Sequence, residues 1–275
     1  MDYELKEILL KAKKRVFSNL SGENLTRLKG DGIDLRDIKE YEWGDDIRRI
    51  NWKATAKTGE ILVNTYDEYK RLNITLIFLA SSTINFGSKR LKQDVVAEIF
   101  AYLLFSAFKN NDFCKTIIFS NKVLKEYSPV RNINEIDMIV KDIYDFNTIG
   151  EKIDYEKLNE ELNKRYKKGE ILIFVGDFFD IKGFHIANKK HQTYSIIVRD
   201  EIEENLDFEG EISFKDPLLQ KDEEFFINES IKKEYKKLLK NHDKKIKEVF
   251  IKNQIDFTKI KTNEDVYFKL LELFK

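Results

Sequence analysis

Ten residues, Gly44-Asp45-Asp46-Ile47-Arg48-Arg49-Ile50-Asn51-Trp52-Lys53, bring together a turn glycine, two adjacent carboxylates, two adjacent guanidiniums and one of the two tryptophans. Paired carboxylates can bridge divalent ions in phosphoryl transfer. Neighbours on a strand point to opposite faces, however, so Asp45 and Asp46 share a site only if a turn bends between them. The structural alternative is a turn whose carboxylates answer Arg48 and Arg49, because a guanidinium fork matches a carboxylate. Trp52, Lys53 and Arg49 have the chemistry to stack on a base and hold a phosphate. From Glu40 to Gly59, though, Glu40, Glu42, Asp45 and Asp46 balance Arg48, Arg49, Lys53 and Lys57. A nucleic-acid groove is basic, so no nucleic-acid partner is expected.

The elements that position these residues follow from periodicity. Leu5, Ile8, Leu9, Ala12 and Val16 form one face of a helix. Leu35 to Tyr41, Ile50 to Ala56 and Ile61 to Thr65 are predicted as short strands, with turns at Trp43-Gly44-Asp45 and Lys57-Thr58-Gly59. From Leu72 strands and helices alternate. Buried strands are expected at Leu72 to Leu79, Thr116 to Phe119, Ile171 to Val175 and Ser195 to Val198, with helical faces through Leu91, Ile133 and Tyr155 between them. This order predicts an α/β fold with a mostly parallel sheet covered by helices on both faces. Glu211 to Lys215 and Glu223 to Ile227 read as a hairpin inserted near 206–228. A helix from Glu229, an edge strand at Ile255 to Ile260 and a capped final helix follow.

In such a sheet ligands bind outside the carboxyl ends of strands where the strand order reverses, so the segments Leu79 to Ser88 and Gly176 to Asp180 are expected to meet. Ser81 and Thr83 also suit helix capping, and Asp177 and Asp180 turn formation. His185 and His191 flank a lysine-rich loop, and His242 falls on the apolar face of a helix, where a hydrogen-bonded core histidine is expected. No Ser/His/Asp or Cys/His order suggests a nucleophilic enzyme, and no catalytic residue is expected.

Lysine plus arginine equals aspartate plus glutamate at 49 each, so no global field recruits nucleic acid or an anionic membrane. Cys114 is the single cysteine, which excludes an internal disulfide and, without a Cys/His cluster, a zinc site. The beginning of the sequence lacks an apolar signal core, and no apolar run approaches the length needed to cross a bilayer. The expectation is a cytoplasmic protein.

The run Gly30-Asp31-Gly32-Ile33-Asp34, Arg36, Glu40-Tyr41-Glu42, Gly44-Asp45-Asp46, Ile50-Asn51-Trp52-Lys53 and Ala56 closely resembles the signature of the domain of unknown function 58 family. The resemblance implies an amino-terminal helix and short-strand module, residues 1–70, followed by a von Willebrand factor type A (vWA)-like domain, residues 71–275. It also implies an adhesion-type metal site, for which Ser81, Thr83 and Asp177 match the hydroxyl and later acid positions. Leu79 stands at the first acid, and the loop Ser128-Pro129-Val130-Arg131, where the threonine is sought, has none. The site is therefore expected to be degenerate, and no cofactor is expected, Mg2+ included. Proteins similar to this one are commonly encoded beside MoxR-type AAA+ ATPases. The resemblance thus implies a non-enzymatic adaptor for such a partner, with metal-dependent ligand binding as the alternative. Gly44, Asp45, Asp46, Arg48, Arg49, Asn51, Trp52 and Lys53 are its expected interaction residues.

Overall fold

The computed structural model describes residues 2–18, 33–68, 71–166, 169–185, 191–215 and 221–274. The chain forms two compact units, Met1–Arg27 with Asn73–Lys275, and Leu28–Leu72. In chain order the elements begin α1 (Tyr3–Ser18), β1 (Ile33–Glu40), α2 (Trp52–Thr58), β2 (Leu62–Glu68) and β3 (Asn73–Leu79). They continue α3 (Lys92–Lys109), β4 (Phe113–Phe119), β5 (Val123–Tyr127), α4 (Ile133–Tyr144), α5 (Tyr155–Arg165), β6 (Ile171–Gly176) and β7 (Gln192–Arg199). The last are α6 (Glu201–Glu204), β8 (Gly210–Lys215), β9 (Asp222–Ile227), α7 (Glu229–Lys252), β10 (Ile255–Lys261) and α8 (Val266–Leu273).

The larger unit is built on a six-stranded sheet in the order β10-β7-β6-β3-β4-β5. All neighbours are parallel except β5, which returns antiparallel along β4. Successive strand residues face opposite sides, and β3 shows the consequence. Phe78 meets Phe100 of α3 with ring centroids 6.4 Å apart. Ile77 and Leu79 join a cluster with Leu158 and Leu162 of α5 and Ile246 and Phe250 of α7. Both faces are thus covered by helices, as the apolar strands require. Helix α3 is buried along nearly its whole length because other helices cover the side turned away from the sheet. The hairpin β8–β9 forms its own two-stranded sheet, as expected for an insertion.

Helix α1 corrects the expected division at residue 70. Its stripe Leu5, Ile8, Leu9, Ala12 and Val16 is buried, and it packs on α3 of the larger unit. Lys11 Nζ donates to Glu98 Oε1 at 2.9 Å, and Arg15 makes a two-pronged bond to Asp265 at 2.7 and 2.8 Å. The stripe needs a large apolar partner, which α3 supplies and a pair of short strands does not.

In the smaller unit β1 pairs antiparallel with β2, with a bulge between Leu35 and Asp37. Of the expected strand Ile50 to Ala56 only Ile50 makes a β-bridge, to Val63; a 3-10 turn, Ile47–Arg49, precedes it and α2 takes the rest from Trp52. Asn51 decides this outcome: its side-chain oxygen accepts from Ala54 N at 3.0 Å, an N-cap that starts a helix. Gly59 closes α2 in the left-handed region at φ 81°, where glycine is favoured. Residues Gly30, Asp31 and Gly32 of the signature, and 186–190 of the lysine-rich loop, lie outside the described residues, as do 216–220 in the insertion.

Candidate functional site

Strand β4 lies on one side of β3 and β6 on the other, so the chain reverses direction of sheet growth between β3 and β6. Their carboxyl ends therefore form the crevice that an open α/β sheet offers to ligands. The segments that follow meet there. Ser81 Oγ and Thr83 Oγ1 are 3.0 Å apart, and Ser81 Oγ donates to Asp177 Oδ1 at 3.4 Å. A pocket of about 250 Å3 beside them is lined by Ile153, Tyr155 and Phe179 as well as by polar Ser81, Thr83 and Asp177. Asp180 does what the turn reading expects: its carboxylate accepts from Lys182 N at 3.1 Å.

Four charged residues absent from the sequence-based site dominate it. Lys92, at the first position of α3, is fully buried and sends Nζ to Asp177 Oδ2 at 3.4 Å and Glu203 Oε1 at 2.6 Å. Arg199, also fully buried, donates from Nη1 to the Asp177 carbonyl, and its guanidinium lies 3.8 Å from the Phe179 ring centroid. Burial alone raises the Asp177 pKa, yet the charges of Lys92 and Arg199 and the hydroxyl of Thr83 hold it below the ordinary value. Glu203 is shifted up, because its burial outweighs the attraction of Lys92. Asp200 completes the floor. It accepts from Ser88 N at 3.0 Å and Thr262 Oγ1 at 2.7 Å, and it caps α6 through Ile202 N. The signal available in the sequence was Arg199-Asp200 at the end of an apolar strand, the position the strand-end rule singles out.

Neither Leu79 nor the loop at residues 128–131 supplies a metal ligand. Leu79 is part of the core cluster. Val130 N donates to Cys114 O, which places this loop at the amino end of β4, the opposite end of the sheet from Ser81. The expectation is corrected: β5 carries the chain back down before α4 begins. The loop that does approach is at residues 148–151, where Glu151 O accepts from both Ser82 N and Ser82 Oγ at 2.8 Å.

Mg2+ requires an octahedron of oxygens, normally including one or two carboxylates. Here the inner oxygen of Asp177 already faces an ammonium. A divalent ion about 4 Å from that ammonium meets a repulsion of about 8 kcal/mol at an effective dielectric near 20. Among the described residues no three His, Cys, Asp or Glu side chains gather as a metal-binding group. The donors present do not fit the metal that the resemblance implies.

The signature separates into residues that build and residues that project. Gly44 takes φ 108°, open only to glycine without strain. Asp45 accepts from Glu42 N at 2.9 Å and pairs with Lys39 at 3.0 Å. Asp46 caps the 3-10 turn through Arg48 N at 3.1 Å and takes the Arg48 guanidinium at 3.0 and 2.9 Å. These contacts hold both carboxylates below the ordinary range, Asp45 chiefly through the Glu42 backbone and Asp46 through the Arg48 side chain. The turn reading therefore accounts for the carboxylate pair. Asn51 donates from Nδ2 to Asn64 Oδ1 at 2.9 Å, which pins α2 to β2. Trp43, Ile47 and Trp52 project at 100%, 66% and 70% exposure, with Arg48, Arg49 and Lys53 exposed near them in the chain. His242, by contrast, is absorbed into structure: Nε2 lies 2.8 Å from the Phe179 carbonyl oxygen, and burial lowers its pKa.

No helix among the described residues is long and apolar enough to cross a membrane. An aerotolerance-related membrane protein from Bacteroides fragilis, crystallised with multiple mutations to serines, superposes with a TM-score of 0.44 at 10% identity. That superposition covers 74% of this chain and 96% of the other. The conserved hypothetical protein BatB from Bacteroides thetaiotaomicron gives 0.42 at 9% identity, covering 73% and 96%. Uncharacterized proteins of Mycobacterium tuberculosis and Mycobacterium bovis are 29% identical over 84 residues, which is 30% of this chain and 26% of each relative. The match thus spans about a quarter of the curated relatives' length. Residues 37–245, from β1 into α7, match the family described as "Protein of unknown function DUF58", and the chain belongs to that family.

Proposed function

We propose that this protein is a non-catalytic interaction module, an adaptor that joins a MoxR-type AAA+ ATPase to a complex being assembled or matured. The observation that carries the reading is the division within the signature. Gly44, Asp45, Asp46 and Asn51 are spent on holding a turn and a short helix, while Trp43, Ile47 and Trp52 are left facing solvent. Exposed tryptophan beside arginine is the composition of an interface hot spot, and a lone helix of seven residues has no internal need for it. The ATPase as partner follows from the family resemblance.

The test is affinity capture by the purified full chain from native lysate, with ATP, a nonhydrolysable analogue or EDTA, read by mass spectrometry. The adaptor reading expects an AAA+ ATPase whose recovery depends on nucleotide, survives EDTA in a nucleotide-free wash, and falls at least about tenfold with Trp52→Ala plus Arg49→Glu. Failure to recover any ATPase overturns the partner. Recovery unaffected by the double variant overturns the surface. A partner lost on chelation favours the metal-dependent alternative at Ser81, Thr83 and Asp177.

A further inference from the structure

We propose that the ammonium of Lys92 is a resident cation that takes the place of a divalent metal between β3 and β6, and that removing it converts the crevice into a Mg2+ or Mn2+ site. The inference stands apart from the adaptor reading and does not need it.

Four observations support it. First, Lys92 occupies the opening position of α3, where the helix dipole repels a cation, and yet its side chain has no exposure to water. A lysine placed against the dipole and fully buried is held by what it meets, which is Asp177 on one side and Glu203 on the other. Second, an ammonium already stands between the carboxylates a metal would use: Lys92 Nζ meets Asp177 Oδ2 and Glu203 Oε1, and Arg199 adds a second buried cation at the Asp177 carbonyl. Third, the walls suit an ammonium. Nζ lies 5.0 Å from the Phe179 ring centroid and 5.7 Å from that of Phe86, and aromatic faces stabilise a desolvated ammonium, whereas Mg2+ keeps oxygen ligands and water. Fourth, the Ser81 hydroxyl, 3.0 Å from that of Thr83, donates to Asp177 Oδ1, while the ammonium takes Oδ2. The one carboxylate is therefore shared between the hydroxyls and the internal cation.

Once Lys92 is shortened, Asp177 and Glu203 face each other across the space its amine leaves. Two buried carboxylates without a counter-ion are a strong demand for a cation, and water can fill the remaining coordination positions.

The experiment uses the full chain as wild type, Lys92→Ala, Lys92→Ser and Lys92→Ala combined with Asp177→Asn. Mn2+ uptake is followed by electron paramagnetic resonance of the free ion, and Tm is read with and without MnCl2 or MgCl2. The expected result is no saturable uptake by wild type in the micromolar range, and Mn2+ binding at least about tenfold tighter in the Ala or Ser variant, with a metal-dependent rise in Tm. The added Asp177→Asn change abolishes it. Propylammonium, but not propanol, also raises the Tm of the shortened variants by refilling the cation position. Micromolar Mn2+ binding by wild type overturns the proposal, as does a folded Lys92→Ala or Lys92→Ser protein that binds no more Mn2+ than wild type. If neither variant folds, wild type decides alone: Tm unchanged by Mn2+ and by EDTA supports the proposal, and a Tm that Mn2+ raises overturns it.

Discussion

Lys92 Nζ and Glu203 Oε1 lie 2.6 Å apart although 111 positions separate the two residues in the chain. This bond ties the first turn of α3 to α6, the short helix that follows β7. Lys92 Nζ also reaches Asp177 Oδ2 at 3.4 Å, so truncating Lys92 or Asp177 leaves a buried charge short of a partner. Asp177→Asn and Lys92→Met are each expected to lower the unfolding free energy by about 3–5 kcal/mol. The double variant is expected to cost clearly less than the sum, because it leaves one charge fewer without its partner. Urea titrations of the four proteins measure the coupling.

The two carboxylates of this cluster respond to pH with opposite sign. Asp177 is held below its ordinary 3.8, so its contribution is present above that value and is lost as pH falls through the folded pKa. Glu203 is raised above 4.5, so the native state keeps a proton that the unfolded chain has released, and stability declines as pH rises from 4.5 through the folded value. Glu203→Gln is expected to remove that decline and leave the acid-side loss in place. Thermal unfolding between about pH 3 and 7 distinguishes the two limbs.

In the signature, stability and binding are expected to come apart. Asn51→Ala loses the N-cap of α2 and the bond to Asn64, at a cost of about 1 kcal/mol or more to the smaller unit. Trp52→Ala removes a side chain that is 70% exposed and is expected to change stability by less than about 0.5 kcal/mol. Hydrogen exchange of α2 and partner capture, measured on both variants, read the two effects separately.

Helix α1 is expected to behave as part of the larger core. Leu9→Ala deletes a buried side chain and is predicted to cost about 2–5 kcal/mol in the cooperative unfolding of that unit. A transition in which α1 melts early with no effect on the main unfolding midpoint contradicts this placement.

Cys114 is buried in β4, and burial drives its thiol pKa far upward. Reaction with a thiol reagent is expected to be slow in the native state and to become rapid only in denaturant. Fast stoichiometric labelling of the native chain contradicts this.

The α/β architecture was legible because its strands are apolar runs and its helices repeat at 3.6 residues, signals that survive without knowledge of partners. Failures occurred where a local pattern was ambiguous or the decisive contact was distant. Ile50, Trp52, Ala54 and Ala56 alternate like a strand, but the Asn51 cap and Gly59 stop favour a helix. Strand β5 is an edge with mixed exposure and little apolar continuity, so the sequence carries no clear sign of the return that takes residues 128–131 to the amino end of β4. Ser81, Thr83 and Asp177 do lie together at the strand ends, where the strand-end rule puts their two segments. Lys92 and Glu203 were invisible to it, since a lysine at a helix start and a glutamate in an acidic run resemble ordinary surface charge until the fold buries them.

The strand order also bears on how the chain assembles as it leaves the ribosome. Beginning from β3, every later strand of the large sheet joins an edge that already exists: β4 and β5 extend one side, then β6, β7 and β10 the other. No strand has to be forced between two partners that have already paired. Vectorial synthesis can therefore lay the sheet down outward from its centre, with the edge on β7 waiting for β10.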